Sequence, residues 1–170
     1  MAAQPGLSLA PATFVAYRYE MELFEQAAML LGGPKVLGKI PHDPVAAAIM
    51  IRAGFPPAAL DSLRTKLGTS WEELEKALNL GKRTLQRRLS KKPGHKEKRL
   101  TDAESERLYR FARVIARARE VFGDLEKAFR WLRKENRALG GERPMMLLDT
   151  DVGTTAVEDV LTRIEYGVFP

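Results

Sequence analysis

No stretch of this chain alternates polar and apolar residues long enough to make a strand, whereas apolar residues recur at helical spacing in segment after segment. Leu125, Ala128, Phe129 and Leu132 stand at i, i+3, i+4 and i+7, and Val157, Val160, Leu161 and Ile164 repeat that spacing. Glycines, prolines and capping patterns cut the sequence between such sets. Periodicity and punctuation together predict an all-α fold.

The expected helices follow from those signals. One covers residues 20–31 and stops at Gly32-Gly33-Pro34; Pro44–Arg52 is ended by Gly54 and Pro56-Pro57; Ala58–Leu67 precedes Gly68. Ser70-Trp71-Glu72-Glu73 reads as a capping box, in which the Ser70 hydroxyl accepts from the Glu73 amide and the Glu73 carboxylate reaches back. Its helix runs to Leu78, and Asn79 is a residue able to take a left-handed turn conformation. Lys82–Leu89 comes next. Thr101-Asp102-Ala103-Glu104 is a second box, opening a long helix with Leu108, Phe111, Ile115 and Phe122 on one apolar face. Thr155-Ala156-Val157-Glu158 reads as a third. The first ten or so residues, rich in Ala, Pro, Gly and Ser, read as a loose arm.

Charge divides the 170 residues into three blocks. Residues 1–57 are neutral, residues 58–119 carry 17 Lys/Arg against 8 Asp/Glu, and residues 120–170 carry 7 against 10. A basic block between a neutral and an acidic one suggests two different partners. The corresponding division is 1–55, an N-terminal arm and helices; 56–119, a DNA-binding domain; and 120–170, a small helical C-terminal domain. Cysteine is absent, which excludes disulfides, thiolate metal sites and thiol nucleophiles. No apolar run reaches the roughly 20 residues needed to span a bilayer, and the start lacks the pattern of a signal peptide. A cytoplasmic protein without membrane partners is expected.

Within the basic block, the helix ending at Leu78 and the helix Lys82–Leu89 have the proportions of a helix-turn-helix. Leu74, Leu78, Leu80, Leu85 and Leu89 supply its buried positions. The second helix then presents Lys82, Arg83, Thr84, Gln86, Arg87 and Arg88, long donors suited to base edges and phosphates in a major groove. Lys91 and Lys92 continue the charge, and residues 82–99 hold nine Lys/Arg against one Glu. Such contacts give salt-dependent affinity, with a slope of about −0.9 per neutralised phosphate.

The C-terminal block ends unusually. Chain ends are ordinarily polar and frayed, yet Arg163, Ile164, Tyr166, Gly167, Val168, Phe169 and Pro170 close this one with aromatic and aliphatic groups. The segment suits the concave, mostly apolar pocket of another protein, with Arg163 placed to pair with an acidic or phosphate-recognising group. The other placement open to it is a fold back onto the chain's own small core. Trp131 and Leu132 read as core, and Gly140-Gly141 as a loop needing positive φ.

At these residues the chain resembles a known family. The helix Gly81-Lys82-Arg83-Thr84-Leu85-Gln86-Arg87-Arg88-Leu89 is similar to the recognition helix of Xre/MbcA/ParS-type antitoxins. The pattern Val121-Phe122-Gly123, Ala128-Phe129-Arg130-Trp131-Leu132, Leu139-Gly140-Gly141, Pro144, Leu147-Leu148-Asp149-Thr150, Gly153 and then Val157-Glu158-Asp159-Val160-Leu161-Thr162-Arg163-Ile164-Glu165-Tyr166-Gly167 resembles that family's toxin-binding domain. Asn79 and Glu75 stand where many helix-turn-helix proteins carry Gly and Ala. The resemblance implies the antitoxin of a type II toxin–antitoxin pair whose partner is a RES-domain toxin, an enzyme that degrades NAD or transfers its ADP-ribose. The implied antitoxin is a homodimer, represses its own operon by binding operator DNA, and covers the toxin's active site with its C-terminal domain. A free-standing dimeric regulator, whose C-terminal domain only dimerises or senses a small molecule, is the competing reading.

Catalytic chemistry finds no support. His42 and His95 lack a nucleophile or metal partner in sequence, and Gly32-Gly33-Pro34-Lys35 lacks the spacing of a phosphate loop. Asp149 and Asp151 read as capping residues rather than metal ligands. No enzyme activity, cofactor or metal is expected.

Overall fold

A computed structural model of the chain describes residues 11–89 and 98–168, with side chains from residue 21 onward. The described residues form helices and turns without a strand, in agreement with the all-α expectation. The helices are α1 (Pro11–Leu30), α2 (Gly33–Leu37), α3 (Pro44–Arg52), α4 (Ala58–Leu67), α5 (Trp71–Ala77), α6 (Lys82–Leu89), α7 (Asp102–Phe122), α8 (Leu125–Leu132) and α9 (Asp151–Glu165). Two 3₁₀ turns, Arg137–Leu139 and Pro144–Met146, lie between α8 and α9.

Two boundaries differ from the sequence reading. Helix α1 starts at Pro11, nine residues earlier than expected, with proline in a first-turn position where its missing N–H costs nothing. Helix α9 starts at Asp151, capped by Thr150, whose hydroxyl accepts from the Gly153 amide at 3.1 Å. Thr155 therefore lies inside the helix, its hydroxyl bonded back to the Asp151 carbonyl, and it caps nothing. Gly153 is what permits the earlier start: a Cβ there would sit 2.1 Å from the Leu147 carbonyl oxygen. The short α2 was not foreseen either, because the Gly-Pro signal that ends α1 also opens a new helix, with Pro34 in its first turn.

Helix α7 is the axis of the molecule. Its residues Leu108, Phe111, Ala112, Val114, Ile115, Ala116 and Ala118 are fully buried, and α1, α3, α8 and α9 all pack on it. The capping box at its start is complete: Thr101 Oγ1 accepts from the Glu104 amide and the Glu104 carboxylate accepts from the Thr101 amide. One continuous apolar cluster runs from Phe24, through Leu60, Leu74 and Leu85, to Leu132, Met145 and Leu161. Residues 120–170 thus share their core with the helices before them, and α7 itself crosses the expected boundary at 119/120.

Candidate functional site

The helix-turn-helix is built by α5 and α6. Ser70 caps α5, accepting from the Glu73 amide at 3.1 Å. The Glu73 carboxylate does not reach back to complete a box. It bonds Thr69 Oγ1 at 2.5 Å and Arg133 Nε, beyond α8, at 2.7 Å, because cationic and hydroxyl donors outcompete one exposed backbone amide. Helix α5 ends in a Schellman turn: Leu80 N donates to the Glu75 carbonyl, Asn79 N donates to the Lys76 carbonyl, and Asn79 has φ 47°. Asn thus performs the role usual for Gly, and the turn is tight. Arg107 of α7 reinforces it by donating to the carbonyls of Leu78 (3.3 Å) and Asn79 (2.7 Å). Leu74, Leu78, Leu80 and Leu85 are 1–5% exposed, which fixes the angle between the helices, whereas Leu89, expected to be buried with them, is half-buried against the same core.

Helix α6 leaves Lys82, Arg83, Gln86 and Arg87 exposed, with Thr84 half-buried. Arg88 does not share that face. Its side chain is 8% exposed, with Nη2 2.7 Å from Glu104 Oε2 and Nη1 donating to the Arg99 carbonyl at 2.8 Å. The physical reason is helical phase. Arg88 lies three residues after buried Leu85 and so turns inward with it, where the α7 capping carboxylate meets it. Arg88 locks α6 to α7 and is not available to a groove. Lys91 and Lys92, with His95, lie outside the described residues.

Other cations of the basic block are also engaged within the fold. Arg99 Nε donates to the Gly54 carbonyl at 2.6 Å. Gly54 (φ +75°) allows this approach, since a Cβ there would lie 2.2 Å from the Leu100 carbonyl oxygen. Arg113 pairs with Glu158 at 3.0 Å, and Arg117 makes a two-pronged contact with Glu165 at 3.1 and 2.5 Å. These last two pairs clamp α9 onto α7. The Arg117 guanidinium, by hydrogen bond and charge, holds the Glu165 carboxyl below its ordinary range. Sequence reasoning missed all of these roles. The only available signal was the i, i+4 spacing of Arg113 and Arg117 along a helix with an apolar face.

The C-terminal block is ordered around Leu132, Met145 and Leu148, each at most 2% exposed. Trp131 is half-buried, its ring 5.5 Å from that of Phe122. Gly140 and Gly141 have φ 70° and 87°, as the loop reading required. Helix α9 also ends in a Schellman turn: Val168 N donates to the Arg163 carbonyl at 2.9 Å, and Gly167 N donates to that of Ile164. Arg163 and Ile164 are half-buried, whereas Tyr166 is 75% and Val168 58% exposed. Tyr166 and Val168 therefore do not fold back onto the chain's own core; Phe169 and Pro170 lie outside the described residues. Among the described residues there is no His/Cys/Asp/Glu cluster able to hold a metal, and no helix long and apolar enough to cross a membrane.

Two regions of the chain match known protein families. Residues 46–113 match an antitoxin Xre-like helix-turn-helix domain, and residues 117–167 match the antitoxin Xre/MbcA/ParS C-terminal toxin-binding domain. An antitoxin Xre of Yersinia enterocolitica is 35% identical over 120 residues, covering 70% of this chain and 78% of that protein. An antitoxin Xre of Pseudomonas putida is 42% identical over 85 residues, half of each chain. A third, from Photorhabdus laumondii, is 30% identical over 120 residues, again 70% of this chain and 78% of the relative. Both halves of the match fall where the geometry sets the exposed cationic helix and the exposed apolar tail, and on that footing the chain belongs to the Xre/MbcA/ParS-type antitoxin family.

Proposed function

We propose that this antitoxin neutralises a RES-domain toxin, one that degrades NAD or transfers ADP-ribose from it, by covering the toxin's active site with residues 120–170. Arg163, Ile164, Tyr166, Gly167 and Val168, with Phe169 and Pro170 beyond them, form the contact. The observation that supports this reading is the exposed Tyr166 and Val168 in the turn that closes α9, a helix clamped to α7 by Arg113 and Arg117. A hydrogen-bonded turn at the end of a clamped helix, presenting an unburied aromatic and an aliphatic group, offers a ready anchor for a concave apolar pocket, because little conformational freedom is lost on docking.

The same chain represses its own operon as a homodimer, with α6 in the operator's major groove. Lys82, Arg83, Thr84, Gln86 and Arg87 make the contacts, continued by Lys91 and Lys92. Arg88 acts through the fold, by holding α6 in place. This reading is supported by the split of exposed cations on α6 from the internally paired cations of α7.

Co-expression tests the pairing. A RES-type toxin encoded beside this gene arrests growth when induced alone and does not when this chain is co-expressed. If growth arrest persists despite soluble antitoxin, or if the neighbouring gene encodes no such toxin, the RES assignment is wrong.

A further inference from the structure

Among the described residues, three buried polar side-chain atoms lack a hydrogen-bond partner: Arg88 Nε, Glu120 Oε2 and the Tyr109 hydroxyl. The first two belong to groups whose other atoms are bonded, Arg88 to Glu104 and the Arg99 carbonyl, and Glu120 to Gln26. Tyr109 has only its hydroxyl to offer, and that group bonds nothing. A buried tyrosine hydroxyl ordinarily finds a partner, because taking it out of water without one is costly. Tyr109 is 5% exposed. Its ring is held between those of Phe24 and Phe55, at centroid distances of 6.2 and 6.3 Å. Burial pushes its ionisation above the usual tyrosine range, so at neutral pH the hydroxyl is a protonated donor.

Tyr109 lines a groove of about 230 Å³ between α1, α3, α7 and the start of α9. Phe24, Ala47 and Ile51, all buried, give the groove an apolar floor. Its rim is charged. Glu106 and Arg113 stand at i−3 and i+4 from Tyr109, on the same side of α7, and theirs are the charges that act on the hydroxyl. The Arg110 guanidinium lies 3.6 Å from Glu106, too far for a hydrogen bond, so its donors remain open. Arg113 uses one nitrogen on Glu158. Asp151, the first residue of α9, completes the rim, and its carboxylate bonds nothing among the described residues.

We propose that this groove binds a free α-amino acid with an apolar side chain. A simple anion would set its charge against Asp151 and Glu106, and a simple cation would meet two guanidiniums. A zwitterion satisfies both signs. Its carboxylate accepts from Arg110 and from the Tyr109 hydroxyl, its ammonium pairs with Asp151, and its side chain lies on Phe24, Ala47 and Ile51. The volume is below the roughly 300–1,000 Å³ typical of sites for drug-sized molecules, which suits so small a ligand. Bound there, the amino acid ties α3 and α7 to the first turn of α9 and stabilises the fold by mass action. None of these residues lies on α6 or in residues 163–168, so the site stands apart from the operator and toxin readings.

Thermal melting and amide chemical shifts of the full chain test the site, with L-leucine, L-valine and L-phenylalanine as probes. Millimolar L-leucine should raise the melting temperature and move the amide resonances of Ala47, Tyr109 and Asp151. Isocaproic acid, which lacks the amine, and isoamylamine, which lacks the carboxylate, should each bind at least about tenfold more weakly. Tyr109→Phe removes only the hydroxyl. It should weaken L-leucine binding by about tenfold while the unliganded protein melts no lower than the wild type, since the lost group had no partner. Asp151→Asn should reduce L-leucine to the affinity of isocaproic acid. No response to any of the three amino acids, equal binding of isocaproic acid or isoamylamine, or wild-type binding by Tyr109→Phe would overturn the proposal. So would a lower melting temperature for unliganded Tyr109→Phe, because the hydroxyl would then serve the fold.

Discussion

At the scale of single residues, two neighbouring arginines on α6 have opposite fates. Arg87 is exposed, whereas the Arg88 head is 8% exposed against Glu104. Removing one partner of a buried pair strands the other's charge, so Arg88→Ala should destabilise the fold by roughly 3 kcal/mol. Arg87→Ala should change stability by less than about 0.5 kcal/mol. Urea denaturation of the two variants checks both figures, and equal midpoints would contradict the assignment. A second residue-scale consequence concerns acidity. Glu165 has a folded-state pKa below its unfolded value because of Arg117, so its contribution is present above the unfolded pKa and is lost as pH falls through the folded one. The melting-temperature gap between the wild type and Glu165→Gln should be open at pH 7 and should close as pH drops below the ordinary glutamate range.

At the scale of elements, α6 works by dividing its faces. Leu85 and Arg88 fasten it inward, leaving Lys82, Arg83, Gln86 and Arg87 outward. Arg83→Ala/Arg87→Ala should weaken operator binding at least tenfold and flatten its dependence on salt by as much as about two slope units. Titration at several salt concentrations measures this, with toxin binding expected to stay intact. How far this was legible in sequence depends on what kind of signal each feature leaves. The leucines of the helix-turn-helix, the Thr101 box and the left-handed Asn79 are local patterns, and the fold keeps them. Glu73 and Thr155 carry equally good local signals and do otherwise: Arg133, distant in sequence, and Thr69 take the Glu73 carboxylate, and the cap at Thr150 leaves Thr155 inside the helix. Arg88 turns inward to Glu104 because position around the helix, not charge along it, sets which side chains face outward.

At the scale of the whole molecule, the two matched regions share one core through α7, and they are also joined by polar contacts. Arg133 reaches Glu73 of α5, Asn79 in the turn donates to Asp149 at 3.4 Å, and Arg113 and Arg117 hold α9. The sequence shows a basic block and an acidic block. It does not show that several charges of the first are consumed in holding the second, since such pairs span 45 residues or more. What stays outward is a cationic helix in one region and an apolar tail in the other. Neutralisation of toxin by that tail is the central claim, and the most direct measurement is the affinity of the cognate toxin for Tyr166→Ala/Val168→Ala. Both side chains are exposed, so the fold should be unaffected. The expected result is a loss of toxin affinity of a hundredfold or more, or about 2.7 kcal/mol, with operator binding unchanged. Wild-type toxin affinity in the double variant would contradict the account.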